Sequence, residues 1–268
     1  MPWSYSGLTA FKGQLADSLT ADDAKYRSVL EAVSRHIDGW TGHQFRTFLA
    51  TRYFTPDRTD KLVLDVGLLG SVVLKTDADG NRIYEKTWAS TDYDLLPLNA
   101  AADLRPYNEI GVTPNGDYSF PLDLAKSVEL AAKWGFFEDL LSASTLAEDL
   151  DTSETGVDVA SGAAFEILQT ILVESEQMYI TGISSNTLTV ERAVNGTTAA
   201  THASGKAVSI YRYPGPVIQA TIIQAARVFK RKDTPFGVVG GSDLSFARNI
   251  PALDPDVKDL LRDYKWEE

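Results

Sequence analysis

Two stretches of this chain repeat apolar residues at helical spacing, and most of what lies between them does not. Tyr26, Val29, Leu30, Val33, Ile37 and Trp40 fall at offsets 0, 3, 4, 7, 11 and 14, one continuous stripe on a helix. Thr20 and Asp23 form an acidic version of a capping box ahead of it, and Gly39 and Gly42 stop it, so the spacing predicts a helix from about residue 21 to 38. Val217, Thr221, Ile222, Ala225, Val228 and Phe229 make a second stripe, with Pro216 suited to its first turn and Pro235 and Gly237 ending it. A shorter helical piece is suggested by Leu8, Phe11 and Leu15. Another follows Asp254-Pro255, where Val257, Leu260, Leu261 and Tyr264 share a face and Trp266 lies just beyond.

Between the two stripes the period changes. Residues 61–66 (KLVLDV) and 71–75 (SVVLK) are short β-rich runs, and Asp77-Ala78-Asp79-Gly80-Asn81 separates the second from Arg82-Ile83-Tyr84 as the turn of a hairpin. Residues 92–97 and 105–110 read as extended, because each proline disfavours helix at the residue before it. Residues 122–141 are ambiguous: propensity favours a helix, while Ser127, Glu129 and Ala131 alternating with Val128, Leu130 and Ala132 favours a strand ending at Trp134-Gly135. Residues 143–210 read as a self-contained β module, with short strands near 157–159, 171–173, 177–183, 187–192 and 207–211, the spacing of a small barrel or sandwich.

Charge separates these regions. The 268 residues carry 25 Lys and Arg against 37 Asp and Glu, a net charge of −12. Residues 143–210 hold only Arg192 and Lys206 against nine carboxylates, whereas Arg227, Lys230, Arg231 and Lys232 crowd the end of the second long helix. Tight wrapping of a nucleic acid draws on many cations releasing counterions, which argues against that role for so acidic a chain. The basic cluster is either a favourable complement to the helix dipole or a docking patch for an acidic partner or DNA phosphates. With no cysteine, disulfides, thiolate metal sites and a cysteine nucleophile are excluded. No apolar window is long enough to span a bilayer, and the first residues do not read as a secretion signal.

No catalytic constellation emerges. His36 and His43 lack metal-ligand spacing, and His202 sits in a Thr/Ala/Ser/Gly run, so all three read as structural or exposed. Asp77, Asp79 and Asn81 open like a calcium loop, but Gly80 comes at the fourth position and no glutamate at the twelfth, which leaves a hairpin turn. Residues 237–241 (GVVGG) match neither a dinucleotide fingerprint nor a phosphate loop. Glu174 and Glu176 share a strand face by geometry alone, and Asn195-Gly196-Thr197 is above all a turn. No catalytic residue, metal ligand or cofactor is expected.

Several blocks, in order, give the chain a family likeness. The helix of residues 22–38 runs into Gly39-Trp40-Thr41-Gly42 and Phe45. Residues 92–97 (DYDLLP) and Arg105-Pro106-Tyr107 follow, then residues 132–136 (AKWGF). The strongest block runs from Gln219-Ala220-Thr221 through residues 225–238 (AARVFKRKDTPFGV), and Asp254-Pro255-Asp256-Val257 with Leu260, Leu261 and Tyr264 closes the series. In this the chain resembles the head-tail connector (adaptor) proteins of long-tailed bacteriophages, head-completion proteins that sit beneath the portal. Residues 174–202 are similar to a β module that recurs in phage structural proteins, an insertion that small adaptors lack.

The resemblance implies a structural virion protein and no enzyme: a dodecameric ring assembled in the host bacterial cytoplasm and placed at the head-tail junction. It would contact the portal protein and a downstream neck, stopper or tail protein, with genomic DNA passing through without sequence specificity and no membrane involved. Leu260, Leu261, Tyr264 and Trp266 become a candidate portal-binding stripe, with packing onto the chain's own helices as the alternative. Arg227, Lys230, Arg231 and Lys232 become a candidate contact patch. The expected architecture is α+β: a small helical bundle with a β-hairpin subdomain and an inserted small β-barrel or sandwich. Its connector core is residues 1–142 plus 211–268 (helices 20–38 and 216–232, β subdomain 46–135, tail 254–268), and the insert is 143–210. Three alternatives remain: an adhesion or carbohydrate-binding module using 143–210 through Tyr179 or Tyr211, another neck or tail-completion protein, and a hydrolase using Glu174 or Glu176.

Overall fold

The computed structural model describes residues 3–114, 116–231 and 253–266, together with the backbone of two short strands at 238–239 and 248–249. The chain divides into two compact units: Met1–Gly42, Asp139–Val194 and Thr198–Glu268 make the first, and His43–Glu138 with Asn195–Thr197 the second.

The second unit is built on one antiparallel sheet. Its strands are β1 (Phe48–Phe54), β2 (Lys61–Thr76), β3 (Lys86–Thr87), β4 (Tyr93–Leu96), β5 (Tyr107–Val112) and β6 (Val128–Trp134). The order is β1-β6-β2-β5-β4, with β3 beside the end of β2. The two runs expected as separate strands at 61–66 and 71–75 are one 16-residue strand, β2, whose register slips between Leu68 and Val73. The turn after it forms, with the Asp77 carboxylate accepting the backbone N–H groups of Asp79, Gly80 and Arg82 at 3.2, 2.8 and 2.8 Å, but the strand that returns from it is Lys86–Thr87 and not residues 82–84. Alternation prevails over helix propensity at β6, where Val128, Leu130, Ala132 and Trp134 turn into the core with Leu62, Leu64, Leu74, Ile110 and Phe120. Trp134 is fully buried, and its indole N–H donates to the Ala50 carbonyl at 2.8 Å, so its polar edge stays hydrogen-bonded in the core.

The first unit joins both ends of the chain to the acidic middle. Its helices are α1 (Leu8–Leu15), α2 (Asp23–Thr41), α3 (Gly215–Lys230) and α4 (Pro255–Leu260). The stripe on α2 is spent as its spacing demands: Tyr26, Leu30, Val33 and Ile37 are buried, and α2 packs on α3, whose Val217, Ala220, Ile222 and Ala225 are buried as well. The Tyr26 ring meets Phe229 and Phe11 edge-on at 4.8 and 5.3 Å. Gly42 ends α2 at φ +77°, where its N–H donates to the Asp38 carbonyl, a left-handed cap that suits glycine. The unit's six strands are β7 (Asp139–Thr145), β8 (Gly156–Asp158), β9 (Thr170–Val173), β10 (Glu176–Ser184), β11 (Thr187–Glu191) and β12 (Ala207–Arg212), in the order β7-β12-β9-β10-β11-β8. Ile171, Val173, Met178, Ile180, Leu188, Val190 and Val208 form their core. The strands β13 (Val238–Val239) and β14 (Arg248–Asn249) pair with each other.

The expected α+β architecture, a small helical bundle with a hairpin subdomain and an inserted barrel, is corrected. The described chain is mostly β, in two six-stranded antiparallel sheets, with four α-helices. Two causes are visible. The strand entering the hairpin at residue 77 is the end of one long strand in the middle of a full sheet, and β1 and β7 add strands where none was expected. Nor does the acidic module close into a barrel: just past its edge strands only the single bridge Leu146–Val159 forms.

Candidate docking surfaces and a buried ionic network

The C-terminal stripe is folded onto the chain's own first unit. Asp254 caps α4 by accepting the Asp256 N–H at 2.8 Å, and its own N–H donates to the Gln224 side chain at 3.1 Å. Leu253, Val257 and Leu261 are buried. The Trp266 N–H donates to the Thr41 carbonyl at 2.7 Å, and the Lys265 ammonium lies 5.9 Å from the Trp40 ring centre. Of the four candidate docking residues, Leu261 is therefore covered, while Leu260, Tyr264 and Trp266 are half-buried.

The basic cluster is divided. Arg227 makes an ion pair with the buried Asp254 carboxylate, which ties α3 to the start of α4. Lys230 is exposed and Arg231 half-buried. Lys232 lies outside the described residues, as do Pro235, Gly237 and the glycines of 237–241.

The most developed polar site lies inside the acidic module. Glu176 opens β10 with its carboxylate fully buried. Arg192, just after β11, grips it with two N–H donors at 2.6 and 2.7 Å, the bidentate geometry in which such pairs are strongest. The backbone N–H groups of Ala193 and Ala200 donate to it at 3.1 and 3.0 Å, and His202 Nε2 lies 3.0 Å away. Burial by itself raises this carboxyl's pKa; Arg192, the Ala200 N–H and His202 overcome that and hold it at about 2. The remaining Arg192 donors go to the carbonyls of Asp151, Glu154 and Ala200, each at 2.8 Å. On the far side of the imidazole, Nδ1 is 2.8 Å from Glu174, which also pairs with Lys206 at 2.6 Å. The network thus fixes the loop from Ala193 to Lys206 between β11 and β12.

This arrangement holds a loop and leaves little for chemistry. Both carboxylate oxygens of Glu176 are filled by protein donors, so it has no lone pair to offer a substrate. Glu174, 42% exposed, is tied to His202 and Lys206. The cleft of about 350 Å³ lined by Tyr5, Glu166, Tyr211, Arg212 and Tyr213 is similar. There Glu166 accepts the Ala10 N–H at 3.3 Å, and Asp139, also on the wall, pairs with Arg212 at 2.8 Å. Tyr179 and Tyr211, the candidate sugar platforms, are both buried. Burial pushes the Tyr179 phenol up, and Glu31 beside it adds to the shift. In the second unit, Asp77, Asp79 and Glu85 bring carboxylate oxygens within 4.8 Å of one another, but Asp77 is spent on its turn. His43 packs edge-on against Phe136 at 5.0 Å, and burial lowers its pKa to about 4. His36 is exposed.

Sequence reasoning expected a structural or exposed role for His202 and missed the buried role of Glu176. A signal was present: the module's only Arg, Lys and His, Arg192, Lys206 and His202, fall within fifteen residues of one another in an otherwise uncompensated acidic segment.

No family model matches the chain, and no curated protein does. Among solved structures it is similar to a chain described as the neck of an empty GTA particle computed with C6 symmetry. The TM-score is 0.44 and the identity 12%, over 97% of this chain and 89% of that one. Among the described residues, no helix is long and apolar enough to cross a membrane.

Proposed function

We propose that the chain is a structural subunit of a phage-type neck: a head-tail connector that forms a ring under the portal, joins capsid to tail and surrounds the passing DNA. What carries this reading is the order of the residue blocks along the chain, from the helix ending in Gly39-Trp40-Thr41-Gly42 to the long block over α3 and the closing Asp254-Pro255 helix. The chemistry supports it as well. Among the described residues, Glu174, Glu176, Glu166 and Asp254 are engaged in holding loops and helix ends, as suits a protein that works by assembly. The acidic balance of −12 fits a conduit, because repulsion lets DNA slide where a basic lining would hold it.

The test is electron microscopy of the full chain mixed with portal-bearing phage heads that lack tails. A ring of density at the portal vertex is expected; heads that stay bare at saturating protein overturn the reading. Docking through the tail is tested by Tyr264→Ala with Leu260→Ala. Removing everything after Asn249 would uncover α3 and confound folding with attachment, whereas these half-exposed positions separate the two. Lost binding in a chain that still unfolds cooperatively above the assay temperature assigns the tail to the portal, and unchanged binding removes that role.

A further inference from the structure

Each compact unit carries one long open strand. Among the described residues, no strand pairs with the outer side of β1 in the second unit or with that of β7 in the first. Such an edge presents unpaired N–H and C=O groups, and natural edges are blunted by shortness, proline, lysine or bulges. β1 and β7 are both seven residues long, with neither proline nor lysine. One end of each is already occupied or irregular. Gly196 lies against the Leu49 carbonyl and the Ala50 carbonyl takes the Trp134 indole, which leaves Thr51–Phe54 of β1. The pairing of β7 with β12 is regular over Asp139–Ser142 and shifts beyond it.

We propose that the open stretch of β1 in one copy pairs antiparallel with the regular stretch of β7 in the next, joining copies of this chain head to tail. The proposal rests on the neck reading and names the surface that would close its ring. A second copy is the favoured occupant because the two edges complement each other. With Phe54 opposite Asp139, the exposed Tyr53 (45%) meets the exposed Leu140 (38%), and Thr51 meets Ser142. On the other face Arg52 stands over Leu141 and diagonal to Asp139, within reach of an opposite charge. Both charged groups now hold exposed partners, Asp65 and Arg212, at 2.8 Å. Self-pairing of either strand would make a two-fold dimer and leave the other edge open; β1-to-β7 pairing uses both and continues from copy to copy until the rotation closes.

Because the chain lacks cysteine, single thiols can report the contact. Full-length Thr51→Cys and Ser142→Cys chains, each changed at an exposed position, are purified separately and treated with a short bismaleimide in the presence of portal-bearing heads. Covalent dimers are expected only when the two are mixed, and a ladder of multimers from the double variant. The ladder should vanish when Leu140→Lys is added, because the lysine blocks the edge without touching a core. Equal cross-linking of either single variant alone overturns the proposal in favour of two-fold pairing. Absent cross-links in a chain that still binds the heads overturn it while the neck reading stands. Absence of both cross-links and binding overturns the two together.

Discussion

At the scale of single residues, Glu176 and Gly196 are tightly constrained. Glu176→Gln leaves Arg192 buried without its counter-charge, a loss of about 3–5 kcal/mol, to be read as a lower urea midpoint of the full chain. Glu174→Gln removes a half-exposed pair and is expected to cost under about 1 kcal/mol; equal losses would show that the network does not discriminate between them. At Gly196 the backbone has φ +80°, and an added Cβ would lie 2.1 Å from the Leu49 carbonyl, so Gly196→Ala combines strain with a clash. Gly205 has a similar φ of +84° with nothing within 4 Å and is the control. Gly205→Ala should cost about 1 kcal/mol, and Gly196→Ala measurably more in the same thermal melt.

Among the elements, α4 shows how a short helix is held by its surroundings. Six residues cannot sustain a helix in water, yet Asp254 caps this one, Arg227 pairs with the cap, and Val257 and Leu261 are buried. Leu261→Ala is expected to lower stability by about 2–5 kcal/mol, against less than half of that for Leu260→Ala, with denaturant unfolding as the measure. The same elements show what could be read beforehand. α2 and α3 were legible because their stripes run for three turns or more, and β6 because its apolar residues keep strict alternation. β7 was not, because an edge strand exposing Leu140, Leu141 and Ser142 together has no period to display. β2 was split in reading because glycines at 67 and 70 resemble a turn, whereas here they sit inside one bent strand. The ionic network escaped because its members lie up to 32 residues apart in sequence and are brought together by the pairing of β10 with β9 and β11.

For the whole molecule, acid should act on the two units at different pH. His43 in the second unit has its pKa lowered from 6.5 to about 4 by burial, so the unfolded form takes up the proton first. That contribution, full above pH 6.5, is lost as pH falls toward 4. Glu176 in the first unit is lowered from 4.5 to about 2, and its contribution is lost only between those values. Hydrogen exchange followed by mass spectrometry, corrected for intrinsic rates, should show residues 43–138 losing protection at pH 5 while 170–212 keep theirs; the reverse order would refute the assignment. The division of the chain also bears on its synthesis. The first unit is assembled from segments on either side of the second, so α2 leaves the ribosome long before α3 exists to cover it. At roughly 5–20 residues per second, its apolar stripe waits roughly 9–35 seconds for a partner, and chaperone occupancy during translation should peak in that interval.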